Sequence, residues 1–315
     1  LGAIETNYLS SKRHFFVIFL TRVAVLFRAV RMTRSSAVTA LLLLSPSLLF
    51  LGLFTYWPVI QVAGRSFMTD HGLGFGNYVR LFADPHFTKA ASNNLLFAIG
   101  SIAPAVVLAL WFALVLQGQR RFHTLLRTLL VFPLLIPLVA AAALFIFIFL
   151  PGEGLLDHYL GWLGLAETNW LGDPGLALGS IIGLTIWKNV GYYLLFFLAG
   201  LQGIPQDLQE AAWLEGANSW QRFWNVTWPL LKPTFAFVVV IALLNVMTQV
   251  DHIVLMTQGG PNDATNVLLY YIYQQAEQNN DPGLATAATV VSVAALLALS
   301  LVSLRVVERG THYES

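Results

Sequence analysis

Residues 204–233 read IPQDLQEAAWLEGANSWQRFWNVTWPLLKP. Pro205 is well placed to open a helix, because the first helical amide needs no partner within the helix. Asp207 and Glu210 follow in the first turns, where carboxylates meet the positive end of the helix dipole. Ala211 and Ala212 are small, so another surface can approach closely. Gly216 interrupts the helix, Asn218 or Ser219 can cap a second one, and Pro229 is placed to end it. The pattern predicts helix, sharp bend, helix. Trp213, Phe223 and Trp224 add large apolar groups to a segment expected to be partly wet. Two readings follow. Either the tryptophans rest among lipid headgroups, or the segment is a rigid knob that docks a partner and transmits its motion, since packed helices move as units.

The chain around this segment is apolar. Of its 315 residues, 57% are hydrophobic and 10% charged, where soluble domains carry about 25% charged residues. Its mean hydropathy is +0.68. The solvent for such a chain is lipid. A bilayer core about 30 Å thick takes roughly 20 apolar residues as helix. Runs of that kind lie at 37–64, 93–117, 125–150, 176–201, 233–256 and 284–307. Helix is required, because lipid offers no partner to an open backbone group. The expected fold is therefore an all-α polytopic membrane protein with six transmembrane helices. Pro46, Pro58, Pro104, Pro133 and Pro137 are expected to bend these helices rather than end them. Pro133 and Pro137 sit one turn apart, which predicts a kinked third span.

Orientation follows from Lys and Arg. Lys12, Arg13, Arg22, Arg28, Arg31 and Arg34 precede the first span. Arg120, Arg121 and Arg127 surround the second connection, Arg222 and Lys232 lie in the fourth, and Arg305 and Arg309 follow the last span. The other side has only Arg65, Arg80 and Lys89, and its connections 151–175 and 258–283 have no Lys or Arg. Both termini are expected in the cytoplasm, with the 203–233 loop beside them. Within the N-terminal segment 1–36, residues 14–31 (HFFVIFLTRVAVLFRAVR) read as an amphipathic helix on the cytoplasmic membrane surface. A seventh span is the weaker reading, since Arg22 and Arg28 interrupt the run. No small-residue cleavage site follows it to mark a signal peptide. Residues 37–309 then form the membrane domain and 310–315 a cytoplasmic tail.

Several chemistries are excluded. There are no cysteines, so no disulfides or thiolate metal sites. The seven histidines show no HExxH-type spacing, and no phosphate-binding loop, dinucleotide fingerprint or nucleophile elbow is present. A net charge of +1 offers no patch for nucleic acid. No catalytic residue and no metal ligand is assigned.

Polar groups within spans are costly and often functional. Lys188 and Asn189 lie near the middle of the fourth span, followed by Tyr192. Asn245, Gln249, Asp251 and His252 occupy the middle and outer half of the fifth. Lining a shared cavity, they would hydrogen-bond a polyol, and Lys188 would attract a phosphate. The structural alternatives are a Lys188–Asp251 pair or a snorkelling Lys188, Asn245 and Gln249 as links between helices, and a solvated His252. The outer connections 70–77 and 151–175 read as flexible and mostly uncharged, and a third lies at 258–283. They are candidates for docking an external partner, the last with Asp263, Glu277 and Asp281, or they are only linkers.

Here the sequence resembles a known family. Glu210-Ala211-Ala212, Gly216-Ala217, Phe223, Val226, Pro229 and Pro233 resemble the EAA loop of binding-protein-dependent ABC importer permeases, with Glu215 where the family often has Asp. Residues 257–261 (TQGGP) resemble an element that follows the fifth span in permeases of the maltose type. Trp187-Lys188, residues 270–273 and Val306-Val307-Glu308 resemble the glycerol-3-phosphate branch. The resemblance covers roughly 37–309.

It implies a type I ABC importer permease fold in the inner membrane of a prokaryote. It also implies a second, similar permease subunit, two cytoplasmic ATPases that carry ATP and Mg, and an extracytoplasmic solute-binding protein. This chain itself would hold no cofactor. Glu210, Ala211, Ala212, Gly216, Ala217, Phe223 and Pro229 would couple to the ATPase, with Glu210 pairing with basic groups there. The solute would be glycerol-3-phosphate, a sugar or a polyol. The rival reading is a secondary transporter or channel for a small polar solute. That would call for internal repeats or a row of conducting charges, and neither is seen. An intramembrane enzyme would need a nucleophile or ligand set inside the bilayer, and none is present, while a passive scaffold would not need residues 204–233.

Overall fold

The computed structural model describes residues 34–69, 72–118 and 121–308. The interfacial helix expected at 14–31 and the tail at 310–315 lie outside the described residues. The chain divides into two units, Leu1–Gln61 and Val62–Ser315.

In the first unit, α1 (Arg34–Leu51) runs through a wide π-helical turn at Gly52–Tyr56 into the start of α2 (Trp57–Ser66). Leu42, Leu49, Phe54 and Ile60 are exposed, as suits a helix surrounded by lipid.

The second unit opens with a small antiparallel pair, β1 (Met68–Thr69) and β2 (Gly72–Leu73), in which Met68 faces Leu73. Helix α3 (Gly76–Ala83) follows. Asp84 then caps α4 (Pro85–Leu116) by accepting from the His86 amide at 2.9 Å, with Pro85 in the first turn. Next come α5 (Arg121–Leu135), α6 (Leu138–Ile148), α7 (Leu155–Gly161) and α8 (Ala177–Gln202). The 204–233 segment holds α9 (Gln206–Leu214) and α10 (Ser219–Arg222), then a wide turn at Phe223–Thr227 that leads into α11 (Trp228–Thr248). The chain continues through α12 (Asp251–Met256), α13 (Leu268–Tyr273) and a third wide turn at Gln274–Gln278 to α14 (Pro282–Glu308).

Among the described residues, 5 helices are long and apolar enough to cross a membrane, or 6 if α5 and α6 form one broken span. The fold is all-α apart from the single short strand pair. Two boundaries differ from the sequence reading. The second helix begins at Pro85, anchored in the protein by the buried Phe87 and Ala90, while His86, Thr88, Lys89 and Ser92 of the same turns stay exposed. The third is not a kinked helix. It stops at Leu135 and restarts at Leu138 with the two axes 102° apart. Pro133 is accommodated within α5, whereas Pro137 holds an extended conformation with ψ 142° and ends the helix. Proline also drives the residue before it away from helical geometry, and here that residue is Ile136.

Helix α8 is the most enclosed of the spans. Ala105, Ala109 and Ala113 form a stripe of small residues on α4 that packs with Leu194, Phe197, Leu231 and Val238. In lipid such close packing supplies the association energy that water supplies elsewhere. The closest approach is at Gly191. A Cβ there would stand 1.9 Å from the Leu130 carbonyl oxygen, so the backbones of α8 and α5 touch. At the end of the molecule opposite the 204–233 segment, Arg80 pairs with Asp281 at 2.5 Å and His86 with Asp263 at 2.7 Å.

Candidate functional site

The 204–233 segment is a two-helix knob. Pro205 is the residue before α9, as its fixed φ suggests. At the far end the Gly216 amide bonds the Trp213 carbonyl and the Ala217 amide bonds the Ala212 carbonyl, both at 3.0 Å. Gly216 has φ +83° and closes the helix in the left-handed conformation. Nothing lies within 4 Å of where its Cβ would be, so within this chain glycine is required by conformation and not by space. The cap of the second helix is Asn218, not Ser219. Its Oδ1 accepts from the Gln221 amide and Gln221 Oε1 accepts from the Asn218 amide, both at 2.9 Å.

Pro229 does not end the second helix. The wide turn at 223–227 carries it on, and Pro229 falls in the first two positions of α11, where a missing amide donor costs little. The second arm of the knob is therefore the beginning of the fifth span. Gln209 Nε2 donates to Thr227 Oγ1 at 3.0 Å and ties the first arm to it. The aromatic residues are organised as well. Trp220 meets Trp224, Trp224 meets Trp228, and Trp228 meets Phe235, with ring centroids 5.6, 5.9 and 5.2 Å apart. Phe223 packs on Trp224 and Trp228. Trp213, Leu214 and Trp220 remain exposed at the tip. Of the residues expected to couple, Glu210, Ala211 and Gly216 are exposed on the first arm and its turn. Ala212, Ala217, Phe223 and Pro229 are half-buried.

The polar residues of the fourth and fifth spans have other partners. Lys188 Nζ donates to the carbonyls of Pro133 at 3.1 Å and Ile136 at 2.6 Å. In a continuous helix the Pro133 carbonyl would accept from residue 137, which is a proline and has no donor. Lys188 thus satisfies the backbone groups that the break exposes. It neither pairs with Asp251, which is exposed, nor snorkels. Asn189 donates to the Thr185 carbonyl one turn back at 2.9 Å. Tyr192 is half-buried against Tyr193 and Phe196. Asn245 Nδ2 reaches the Tyr193 hydroxyl at 3.5 Å. Gln249 sits where the chain leaves α11, extended at ψ 112°. His252 is not solvated. It is buried, 5.9 Å from the Phe97 ring and 3.5 Å from Thr185 Oγ1, because the chain breaks at 249–250 and turns α12 back into the protein.

The connection 151–175 is not a loose linker. The buried Asp157 accepts from the Gly152 amide at 2.9 Å, the Thr168 amide at 3.1 Å and the Trp170 indole at 2.6 Å. The Gly152 amide first, then the Trp170 indole, hold its carboxyl below the usual value of 3.8, with the Thr168 amide adding to them against the opposing effect of burial. Burial pushes Asp281 upward, but the Leu284 amide and Arg80 more than offset that. Neither role is marked in the sequence, since each partner set is assembled by loop geometry. Among the described residues no group of three or more His, Asp or Glu side chains could hold a metal ion.

Comparison with known proteins agrees with this architecture. Residues 105–313 match the family described as binding-protein-dependent transport system inner membrane component. The chain is 34% identical over 290 residues to the probable ABC transporter permease protein YurN of Bacillus subtilis (strain 168), covering 89% of this chain and 99% of that one. It is 32% identical over 279 residues to the sn-glycerol-3-phosphate transport system permease protein UgpA of Brucella abortus biovar 1 (strain 9-941), covering 86% and 95%. Its fold is similar to a chain of a bacterial ABC transporter involved in the import of the acidic polysaccharide alginate. There the TM-score is 0.78 at 26% identity, with 89% of this chain and 97% of that chain covered.

Proposed function

The chain belongs to the family of binding-protein-dependent transport system inner membrane components, and on that premise we propose that residues 204–233 are the element through which an ATPase drives it. It is a multi-pass permease subunit of an ABC-type importer for a small polar solute, not an enzyme, and lies in the inner membrane. Importers of this architecture combine permease, ATPase and solute-binding protein.

The finer reading is ours. The knob lies on the cytoplasmic side and its exposed tip seats in a cleft of an ATPase. Glu210, Ala211, Ala212, Gly216 and Ala217 form the contact, and Phe223 and Pro229 carry it into the fifth span. Two ATPases bearing ATP and Mg serve this chain and a second, similar permease. The observation that carries this reading is continuity: α10, the wide turn and α11 run without a break, so displacement of the tip moves the span.

The test is reconstitution with the partner subunits and Gly216→Val, a β-branched residue at a positive φ. ATP-driven uptake is expected to fall about tenfold or more while ATP hydrolysis persists, which separates coupling from catalysis. Uptake at the normal rate would sink the proposal.

For the solute we favour glycerol-3-phosphate, a sugar or a polyol, supported by the identity with the Brucella relative. Likeness to an alginate importer favours an acidic saccharide as the second reading. Competition for uptake among these solutes, in the presence of the binding protein, distinguishes them. Lys188, Asn189, Tyr192, Asn245, Gln249 and Asp251 remain the proposed pathway residues. Tyr192, Gln249 and Asp251 are favoured for direct contact because they are less buried than Lys188 and Asn189.

A further inference from the structure

Behind the knob lies a cavity of about 680 Å³. Its walls come from the ends of α4, α5 and α8 and from the inner side of the knob. Gln117, Arg127, Gln202, Gln206, Gln209 and Arg222 supply the polar lining, and no Asp or Glu lines it. The volume is within the range of about 300–1,000 Å³ typical of small-ligand sites.

Two guanidinium cations thus share a space without a carboxylate. Arg127 is fixed in place, its Nε 2.8 Å from the Leu116 carbonyl and its Nη2 2.7 Å from that of Gly118. Those bonds cap the negative end of α4 and leave Nη1 without a hydrogen bond among the described residues. Arg222 donates only weakly, from Nη2 to Ser219 Oγ at 3.3 Å, and its Nε is buried with no partner. Neither arginine belongs to an ion pair among the described residues. The negative end of α8 is also occupied, since the Gly203 amide bonds its last carbonyls. A buried donor on a cation is costly to leave unpaired, and the planar fork of arginine matches phosphate oxygens.

We infer that this cavity binds an anion carrying a phosphate group, held between Arg222 and Arg127 with glutamine amides around it. Occupancy would splint the knob against α4, α5 and α8 and so restrain coupling. This second step rests on the coupling reading under Proposed function, whereas the binding does not. The phosphate is either that of a free ion or that of an acidic phospholipid headgroup.

To test this, the full chain is placed in phosphatidylcholine nanodiscs and titrated with inorganic phosphate. The readout is intrinsic tryptophan fluorescence, to which Trp220 and Trp224, beside Arg222 in sequence, contribute among nine tryptophans. In a second arm the discs contain phosphatidylglycerol, and native mass spectrometry counts the acidic lipid retained. Arg222→Gln and Gln206→Glu are compared with the wild type in both arms. Gln206 is exposed and its side chain makes no hydrogen bond among the described residues, so its replacement adds a carboxylate to the wall without removing a structural contact.

A saturable phosphate response weakened about tenfold or more by each variant, the scale of one charge-assisted hydrogen bond, supports a free-ion site. Retained acidic lipid that is lost in each variant supports a headgroup site. Absence of both in the wild type, or variants indistinguishable from it, overturns the inference. Because both readouts report binding, failure here is distinct from failure of the Gly216→Val test.

Discussion

Lys188 donates to the Ile136 carbonyl at the break and shares the Pro133 carbonyl, deprived of its usual donor by Pro137, with the Ile136 amide. In lipid those groups have no water to turn to. Lys188→Met should therefore lower stability by about 1–3 kcal/mol, the usual cost of leaving buried polar groups unpaired, and Lys188→Arg should recover part of it. Denaturant unfolding of the purified chain measures this. Unchanged stability with lost uptake would assign Lys188 to the solute instead. The sequence marked Lys188 as a costly group and a pathway candidate, with Asp251 as an alternative partner, but did not reveal the partner it has. The partner exists because a helix breaks at Ile136, 52 residues earlier. Gly216, in contrast, was legible, because a glycine between two helix patterns supplies the left-handed turn that ends the first of them.

Among the elements, the connection around α7 depends on Asp157. Its carboxyl titrates lower in the folded chain than its ordinary value of 3.8. Its contribution is therefore complete above that value and lost as pH falls through the folded one. Protection of the Gly152 and Thr168 amides against exchange, taken relative to the intrinsic rate at each pH, should fall below about pH 4, and Asp157→Asn should remove that dependence. Equal pH profiles in the two proteins would show that the carboxylate does not pin the loop. The second arm of the knob makes a sharper case. Inserting Gly-Gly between Thr227 and Trp228 should abolish most uptake while assembly with the ATPase survives, because the tip would then move independently of α11. Retained uptake would mean that motion reaches the spans by another route. The sequence showed both arms of this knob but misjudged the exit. Pro229 looks like a terminator until the wide turn before it shifts it into the first turn of the next helix.

For the whole molecule, the apolar runs were legible because hydropathy depends on composition alone. The break in the third span was not, since Pro133 and Pro137 look alike in sequence and only one of them ends a helix. Burial of α8 was hidden too. Every span is apolar, so composition does not say which one lies at the centre. Gly191→Ala tests that centre, because its Cβ would collide with the backbone of α5. Overpacking of this kind costs about 1–3 kcal/mol, which should appear as reduced yield and a lower thermal midpoint. Orientation is open to a direct check, because the chain contains no cysteine. In right-side-out vesicles a membrane-impermeant maleimide should label Asn279→Cys and spare Ser219→Cys. The reverse pattern would invert the topology proposed from Lys and Arg placement.

The unbroken path from Ser219 to Thr248 also has a geometric consequence. At 1.5 Å per residue it is a lever about 45 Å long. A tilt of about 10° imposed at the tip would sweep its far end through roughly 8 Å, more than one helical pitch. Gln249 and Val250, where the helix stops, sit at the point of greatest travel. A modest rocking of a partner docked as proposed would thus be amplified around Gln249, one of the proposed pathway residues.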